Sequence, residues 1–514
     1  MDTRYLNVRI IALHVALTSA ILLGGTVPGG AASWTPLTKA ALDNAGTMLL
    51  LTDGTVMVQG YSPGNNWMRL TPDSTGSYIN GTWSALASMS IPRLYYASHV
   101  LPSGKVWLLG GEYSGFGLMA NWANTGEMYD PISNTWSPIA PHPEAQFGDD
   151  PTMLVAHGKI LAGSLFTQNT YLYDIATNSW SFAASKLYHD RSDEEGWVKL
   201  PDGSVLTYDL FQSVATSGSY AERYDHATNT WSSISPSDGT AFGFIPQLSS
   251  AAIGFELGPL VRLCDGRIFA IGATGHTALY TPSTNTWAAG PDIIGTLGGS
   301  PALFGADDAP AAVLPNCHVL FAADAGPTRR TFAPPTQLFD FDPDADTISP
   351  IAPPIPDVNL NGQSAFVTRM LILPTGQVLF SDGWFRLWVY TPDGAPPQRL
   401  RPRIEGVKYN GGGVFTLTGQ QLNGQNAGSN YGDDVESDEN YPIVRLIDRA
   451  GNVFYARTTN WSTTEVATGV VRETVNFTLH PGMVPGLYRL VVSGAGISST
   501  PVARLITAAE ILGL

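Results

Sequence analysis

Short apolar segments recur along the chain in pairs, and a tight polar turn separates the two members of each pair. Residues 50–58 (LLTDGTVMV) show the pattern, with a central glycine that accepts the positive φ of a tight turn. Copies occupy residues 50–58, 100–107, 155–160, 200–205, 263–268, 314–319 and 373–378. Two apolar strands joined by such a turn predict a β-hairpin in each of these seven units.

A second hairpin follows the first in each unit. Tyr129 precedes Asn134 and Trp136, and this trio recurs at fixed offsets in later units. The recurrences are Tyr173, Asn178 and Trp180; Tyr224, Asn229 and Trp231; and Tyr280, Asn285 and Trp287. Two hairpins form a four-stranded antiparallel sheet, which buries both faces only by stacking against its neighbours. The sequence therefore predicts an all-β fold whose main part, residues 34–400, is a seven-bladed β-propeller.

The seventh unit stops before its fourth strand. No Asn-Thr-Trp motif follows Pro392, whereas residues 33–36 (SWTP) resemble residues 135–138 (TWSP) of a complete unit. We expect residues 34–42 to close the last blade, because closure removes an open sheet edge. After Pro402 the pattern changes to strands with wider spacing, which predicts an immunoglobulin-like β-sandwich over residues 402–509.

Composition narrows the classes of function. The 514 residues include 54 Gly, 37 Pro and 13 Trp, and only 14% are charged, which favours strands and turns over long helices. The formal net charge is −16. Nucleic acid is therefore excluded as a partner, since its phosphates need neutralisation by Lys and Arg.

The N-terminus has the composition of an export signal. Arg4 and Arg9 precede an apolar run over residues 10–23, and small residues follow over 27–33. This pattern predicts a signal peptide over residues 1–33, with a membrane anchor as the alternative. The apolar run is shorter than a membrane-spanning helix needs, and no later run reaches about 18 residues. We therefore expect a secreted or periplasmic protein without a transmembrane segment after cleavage.

The chain has two cysteines, Cys264 and Cys317, in the hairpin turns of consecutive units. Equivalent turns of adjacent blades lie near each other, and exported proteins retain disulfides. We expect a disulfide between them; two unpaired thiols are the alternative.

The repeat resembles the kelch family over residues 45–393, and its di-glycine survives at Gly110-Gly111. A kelch propeller followed by an immunoglobulin-like domain is similar to the galactose oxidase and glyoxal oxidase group. That resemblance implies one copper ion on the propeller axis, bound by two His and two Tyr. It also implies that one Tyr is bonded to a Cys and covered by an aromatic ring.

The copper-binding residues are only partly present. Tyr95 stands at the position of the modified Tyr, and Tyr113 stands at the covering position. Phe366-Val367 replaces the Tyr-His pair, Thr459 stands near the last His, and Ala45-Gly46 stands where the bonded Cys is expected. We therefore expect no copper-radical chemistry, and we assign no catalytic residue.

Polar residues at the starts of the innermost strands converge on one mouth of the channel. They are Arg93, Tyr95, Asp149, Asp150, Asp193, Glu194, Glu195, Glu256, Asp307, Asp308 and Arg369. His276 follows a second strand, and we expect its loop to reach this mouth. The candidate ligand-binding residues are Arg93, Tyr95, Tyr113, Asp150, Glu194, Glu195, His276 and Arg369. Such a ring binds a cation such as calcium or a polyhydroxylated ligand, or supplies an acid–base pair. The alternative is a solvated channel whose charges pair with one another, with a purely structural His276.

A second acidic segment, residues 432–439 (GDDVESDE), lies in the C-terminal region. It is an exposed acidic loop or a calcium site, although its spacing differs from an EF-hand loop. Two functions remain open. The first is a non-catalytic extracellular module that binds a glycan or an envelope or other protein partner and needs no cofactor beyond calcium. The second is an enzyme that acts on carbohydrates through the acidic mouth, or a divergent oxidase-like oxidoreductase.

Overall fold

The computed structural model describes residues 31–188, 191–326, 332–354, 360–431 and 440–514. Residues 1–30 of the expected signal peptide and the acidic segment 432–439 lie outside this part of the chain. Within the described ranges, no helix has the length and apolar character needed to cross a membrane.

Antiparallel sheets form most of the chain. In the sheets of residues 33–391 with four or more strands, the strands follow one another in sequence order, except that Ser33–Pro36 completes one sheet and Ser429–Tyr431 is added to another. The innermost strands are Ala45–Leu50, Ala97–Val100, Thr152–Val155, Trp197–Lys199, Leu260–Arg262, Pro310–Val313 and Arg369–Ile372. The second strands are Val56–Gly60, Val106–Leu109, Lys159–Ala162, Val205–Tyr208, Ile268–Ile271, Val319–Asp324 and Val378–Ser381. The third strands are Trp67–Thr71, Gly126–Asp130, Asn169–Asp174, Ala221–Asp225, Thr277–Thr281, Thr336–Asp342 and Trp388–Thr391. The outermost strands are Thr82–Leu86, Thr135–Pro138, Ser179–Ser185, Thr230–Ser233, Thr286–Ala289, Thr347–Ile351 and Ser33–Pro36.

Burial falls from the centre of the molecule outward. The innermost strands are almost entirely buried, whereas most positions of the outermost strands are exposed or half-buried. Arg369–Ile372 contacts two other innermost strands, Ala45–Leu50 and Pro310–Val313. Sheets that meet at their first strands and diverge toward solvent form a radial ring, which is the architecture of a β-propeller.

The N-terminal strand completes the sheet that contains the last innermost strand. Ser33–Pro36 pairs antiparallel with Trp388–Thr391, which places Trp34 opposite Tyr390. The Trp34 ring lies 4.7 Å from the Tyr390 ring, and its Nε1 donates to the carbonyl oxygen of Ala352 at 3.0 Å. Residues from the two ends of the ring segment thus share one sheet.

The first turn of each unit explains why glycine recurs there. In the turn after Ala45–Leu50, the amide of Gly54 donates to the carbonyl of Leu51 at 2.9 Å, and φ of Gly54 is 74°. Cys317 takes this left-handed position in a later turn, with φ of 77°. The structure contains the Cys264–Cys317 disulfide, with Cα atoms 5.6 Å apart, so the predicted pairing is confirmed.

The Tyr-Asn-Trp trio joins neighbouring sheets. Tyr129 donates its hydroxyl to Asn134 at 2.9 Å, and Asn134 has a left-handed backbone with φ of 54°. Trp136 packs on the Tyr129 ring at 5.1 Å and donates Nε1 to the carbonyl of Ala87, which belongs to the preceding unit. The aromatic residues of the repeat therefore hold each sheet to the one before it.

The C-terminal region is also built from antiparallel strands. In spatial order they are Arg403–Tyr409, Val414–Gln420, Glu473–Thr478, Val453–Thr459, Ile443–Ile447, Gly486–Gly494 and Ile497–Ser498, with Val502–Ile506 also paired to Gly486–Gly494. Phe415 stacks on Phe477 at 5.0 Å inside this region.

Short elements make up the rest of the secondary structure of the described ranges. The helices are Leu210–Thr216 and Ala508–Leu512, and the 3-10 turns are Ala156–Gly158, Thr240–Phe242, Ala365–Val367 and Gln398–Leu400. The remaining strands are Arg93–Leu94, Tyr113–Ser114, Met119–Ala120, Ile294–Leu297, Ser300–Leu303 and Ser429–Tyr431.

One strand of the C-terminal region lies inside the ring. Ser429–Tyr431 pairs with the innermost strand Pro310–Val313 and adds a fifth strand to that sheet. It also lies against Arg369–Ile372. The ring and the C-terminal region are therefore structurally interlocked and do not form two separate bodies.

Candidate functional site

A cavity of about 500 Å³ opens where the innermost strands begin. Its lining residues precede these strands or follow the second strands. They are Leu94, Tyr95, Glu112, Tyr113, Leu118, Asp149, Glu194, Glu256, Asp308, Phe332 and Phe366. Residues that are far apart in sequence meet here because the radial arrangement brings equivalent loops to the axis. We call this cavity the mouth.

Left-handed backbone conformations cluster around the mouth. Non-glycine lining residues with positive φ are Tyr95 (51°), Leu118 (48°), Asp149 (54°), Glu194 (62°), Asp308 (45°) and Phe332 (56°). This conformation is unfavourable for a residue with a Cβ atom, by about 1 kcal/mol or more. Such strain concentrates at functional sites, so the clustering marks the mouth as the candidate site.

Adjacent acidic residues divide between the mouth and the protein interior. Asp149, Glu194 and Asp308 line the mouth, whereas their neighbours Asp150, Glu195 and Asp307 are buried and do not line it. In each pair the lining residue is the one with positive φ. The backbone conformation thus decides which carboxylate faces the ligand space.

The two arginines expected at the mouth are both buried. Arg93 donates Nη1 to the carbonyls of Gly110 at 2.7 Å and Thr125 at 2.8 Å, and it forms an ion pair with Glu127 at 3.4 Å. Arg369 donates Nη1 to the carbonyls of Phe366 at 2.6 Å and Thr368 at 2.9 Å. Both guanidinium groups tie backbone segments together, and neither residue lines the cavity.

Glu195 belongs to a buried cluster beneath the mouth. It forms an ion pair with Lys186, whose Nζ also lies 3.4 Å from Asp209. Glu222 accepts a hydrogen bond from the amide of Leu187 at 2.7 Å, and burial raises its pKa to about 7. Lys186 therefore interacts electrostatically with three buried carboxyl groups, those of Glu195, Asp209 and Glu222.

His276 lies outside the mouth. Its Nδ1 is 2.7 Å from Asp292 Oδ1, and both side chains are partly exposed. Asp150 accepts from the amide of Gly148 at 3.4 Å and stays in the interior. Of the eight candidate residues, the structure brings only Tyr95, Tyr113 and Glu194 to the cavity lining.

One wall of the mouth is acidic. Carboxylate oxygens of Glu194, Glu256 and Asp308 all lie within 4.8 Å of one another. Burial, and then the charge of Glu256, raise the pKa of Asp308 well above its usual value. Burial also raises the pKa of Glu112. The three clustered carboxylates come from separate sheets, so only the tertiary fold brings them together.

Other lining residues of the mouth are aromatic. The Tyr95 ring lies 6.0 Å from the Tyr113 ring and 6.3 Å from Phe366, and Phe332 lies 5.0 Å from Phe366. Tyr113 is held by a small sheet in which it pairs with Leu94. Burial, followed by the charge of Glu112, raises the pKa of the Tyr113 hydroxyl, so this hydroxyl remains protonated at neutral pH.

The lining does not fit the copper ion that the oxidase resemblance implies. Copper in proteins favours imidazole and thiolate ligands. Tyr95 and Tyr113 line the mouth, but Phe366 supplies no ligand atom, and no histidine or cysteine of the described ranges lines it. Thr459 lies at the other end of the ring, where the amide of Asn460 donates to the carbonyl of Pro102 at 2.5 Å.

Several lining residues were missed by the sequence reasoning. Glu112 directly follows the di-glycine Gly110-Gly111, both of which have positive φ, and this motif was the available indication. Leu94 lies in the two-residue strand Arg93–Leu94, and Leu118 and Phe332 lie in turns, where no periodic pattern points to a site.

Comparison with known proteins gives a motif and two partial relatives. Residues 93–143 match the Kelch motif. The chain is 26% identical over 275 residues to the Kelch-like protein terF of Aspergillus terreus, covering 50% of this chain and 56% of that protein. It is 42% identical over 62 residues to the F-box/kelch-repeat protein At5g03020 of Arabidopsis thaliana, covering 12% of this chain and 17% of that protein. The match therefore spans about half of the first relative and a small part of the second.

Solved structures resemble the chain at low identity. A fungal alcohol oxidase of the AA5 family, in complex with copper, has a TM-score of 0.35 at 16% identity, covering 90% of this chain and 85% of that one. An inactive variant of virginiamycin B lyase from Staphylococcus aureus has a TM-score of 0.47 at 9% identity, covering 70% and 99%. With its repeated hairpins and radial sheets, the chain folds as a β-propeller that carries a Kelch motif over residues 93–143.

Proposed function

We propose that this protein is a secreted, non-catalytic binding module that takes a glycan in the mouth of a seven-bladed propeller. In this proposal residues 402–509 form an immunoglobulin-like sandwich. The observation that carries the proposal is the set of left-handed residues that direct aromatic and acidic side chains into one cavity. Strained residues from several sheets lie together at the mouth. Such strain is expected where the position of a side chain matters for ligand binding.

The lining of the mouth suits a polyhydroxylated ligand. Tyr95, Tyr113 and Phe366 offer an apolar surface for the C–H face of a sugar ring. Carboxylates of the same lining accept hydrogen bonds from hydroxyl groups. A cavity of about 500 Å³ is within the usual size of small-ligand sites, and it accommodates a short oligosaccharide.

Export is supported by two features of the chain. Arg4 and Arg9 followed by an apolar run give the N-terminus the pattern of a cleaved signal. The Cys264–Cys317 disulfide suits an oxidising compartment. In this proposal copper chemistry is absent, because the lining offers neither imidazole nor thiolate.

A glycan array with the purified protein tests this proposal, followed by calorimetry with the best ligand. We expect Tyr113→Ala to weaken binding at least tenfold, because the sugar face loses its aromatic support. Phe182→Ala is the matched control, since Phe182 is an exposed aromatic on an outermost strand. Equal affinity of the Tyr113 and Phe182 variants would place the glycan elsewhere.

A carbohydrate-active enzyme is the second candidate, and the proximity of Glu256 to Asp308 favours it. Asp308 holds its proton more strongly than a free carboxyl, and an acid beside a carboxylate is what glycoside hydrolysis uses. If the protein releases reducing sugar from the bound glycan and Asp308→Asn abolishes this release, the protein is an enzyme and not a non-catalytic binding module.

A further inference from the structure

We propose that Glu194, Glu256 and Asp308 bind a calcium ion at the mouth, and that hydroxyl groups of the ligand complete its coordination. The calcium proposal depends only on the side chains of this protein. The ligand contact rests on the proposed function.

The spacing of the three carboxylates suits one calcium ion. Calcium lies about 2.3–2.6 Å from each oxygen ligand, so two oxygens on the same ion are at most about 5 Å apart. One oxygen from each of Glu194, Glu256 and Asp308 already satisfies this limit, at 4.8 Å or less. Three protein oxygens leave positions open, because calcium takes about six to eight ligands.

A buried acceptor without a partner points to the same place. Oδ1 of Asp308 is shielded from solvent and accepts no hydrogen bond within the described ranges. A buried polar atom that lacks a partner is unfavourable by about 1–3 kcal/mol, and native structures usually provide one. A cation bound at this carboxylate supplies the missing interaction.

The charges around the cluster also favour a cation. Glu112 and Asp149 line the same cavity, so five carboxyl groups surround the space. The charge of Arg369 lowers the pKa of Asp308, but burial and the charge of Glu256 raise it more. A neutral ligand leaves the mutual repulsion of these carboxyl groups in place, whereas a divalent cation reduces it.

The ligand atoms favour calcium over softer metals. All three ligands are carboxylate oxygens, which hard cations prefer, and no imidazole or thiolate of the described ranges lines the mouth. The ligands come from loops of three separate sheets, a flexible geometry that suits calcium better than the strict octahedron of magnesium.

The test uses the mature full-length protein, calcium-stripped, in a titration with Ca²⁺ by calorimetry and with Tb³⁺ by luminescence. Tyr95 and Tyr113 line the same cavity, so excitation of tyrosine should sensitise Tb³⁺ emission. We expect one site with a dissociation constant of about 10⁻⁴–10⁻³ M for Ca²⁺, as in other extracellular modules. We expect Glu194→Gln with Glu256→Gln to weaken it at least tenfold.

Two control variants separate this site from general acidity. Asp344→Asn with Asp346→Asn removes two exposed carboxylates from an outer turn and should change the affinity less than twofold. Asp433→Asn with Asp434→Asn tests the other acidic segment. Absence of Ca²⁺ binding up to about 10 mM, or loss of binding only in the Asp433 and Asp434 variant, would overturn the proposal. If the double variant at Glu194 and Glu256 is unstable, Glu256→Asp serves in its place. It keeps the charge but shortens the side chain, and we expect it to weaken Ca²⁺ binding.

A glycan measurement separates this inference from the proposed function. If calcium binds at the mouth but no glycan binds, the calcium proposal stands and the glycan proposal fails. If glycan binding resists a chelator and persists in the Glu194 and Glu256 variant, the proposed function stands and the calcium proposal fails. Both proposals stand only if glycan affinity falls at least tenfold on chelation and returns with added Ca²⁺.

Discussion

The two ends of the ring need the same unusual backbone conformation and fill it with different residues. At the turns that follow the innermost strands, the left-handed residue is usually glycine, as at Gly54 and Gly376. At the mouth, the left-handed residues are Tyr95, Glu194 and others that carry large side chains. Glycine adopts this conformation without a steric penalty, whereas other residues pay for it in stability. The turn end is therefore built for packing, and the mouth keeps strained residues because their side chains are used.

The C-terminal region covers the turn end. Tyr441 donates its hydroxyl to the carbonyl of Leu50, and Arg457 forms an ion pair with Asp53 at 3.0 Å. Arg445 donates Nη1 to the carbonyl of Pro374 at 2.7 Å, in another of these turns. Buried apolar residues of the C-terminal region and of one part of the ring form a shared core. The mouth is open by comparison, and its walls are formed by loops.

The largest effect should follow removal of residues 402–514. The ring would lose the strand Ser429–Tyr431 from its interior and expose the core that it shares with the C-terminal region. A folded protein is typically stabilised by only about 5–15 kcal/mol, so a loss of this extent is expected to unfold the ring. We expect no cooperative thermal transition by circular dichroism. A truncated ring that melts cooperatively within about 5 °C of the full chain would show that the turn end needs no cover.

A single glycine tests the packing at the turn end. A Cβ atom at Gly54 would collide with the ring of Tyr455, in addition to the unfavourable φ of 74°. We expect Gly54→Ala to lower the free energy of unfolding by about 2–4 kcal/mol in urea titrations. Gly266→Ala is the matched control, because Gly266 has φ of 91° and no atom within 4 Å of the added Cβ. Its loss should be about 1 kcal/mol, and equal losses at the two glycines would refute the close contact.

The buried carboxylates next to the mouth predict how stability depends on pH. Burial raises the pKa of Glu222 to about 7, against a usual value near 4.5. The folded state therefore keeps a proton that the unfolded state releases. This contribution is fully present below about pH 4.5 and is lost as the pH rises through about 7.

Between pH 5 and pH 8 we expect the free energy of unfolding to fall by about 2 kcal/mol through this group. Burial also raises the pKa values of Asp193 and Asp324 to about 7, and these groups act in the same direction. Glu222→Gln should flatten the profile measured by urea titration. An unchanged slope would mean that Lys186 holds Glu222 ionised.

The smallest effect should come from relieving strain at the mouth. Glu194→Gly keeps the left-handed backbone, with φ of 62° in the parent, and removes the steric penalty together with one clustered charge. We expect stability to be unchanged or raised by up to about 1 kcal/mol, while glycan and calcium affinity fall. A stability loss above about 1 kcal/mol would show that Glu194 is held for packing, as the glycines of the turn end are.

The repeating architecture can be predicted from the amino-acid sequence. Alternating apolar strands, turn glycines and the Tyr-Asn-Trp trio act through local backbone preferences and nearest neighbours, so they can be read along the chain. The pairing of residues 33–36 with Trp388–Thr391 could be predicted because residues 33–36 resemble the fourth strand of a complete unit. The Cys264–Cys317 disulfide follows from the equivalence of two turns in adjacent units.

Which polar residues meet at the mouth depends on long-range contacts between the sheets. Asp149 and Asp150, or Glu194 and Glu195, are alike in sequence, and the sign of φ at one of them sends its side chain into the cavity. That sign is set by loop contacts among separate sheets, such as the amide of Glu194 donating to the carbonyl of Asp149 at 2.9 Å. The entry of Ser429–Tyr431 into the ring likewise depends on an inner strand more than 100 residues away, which no local pattern encodes.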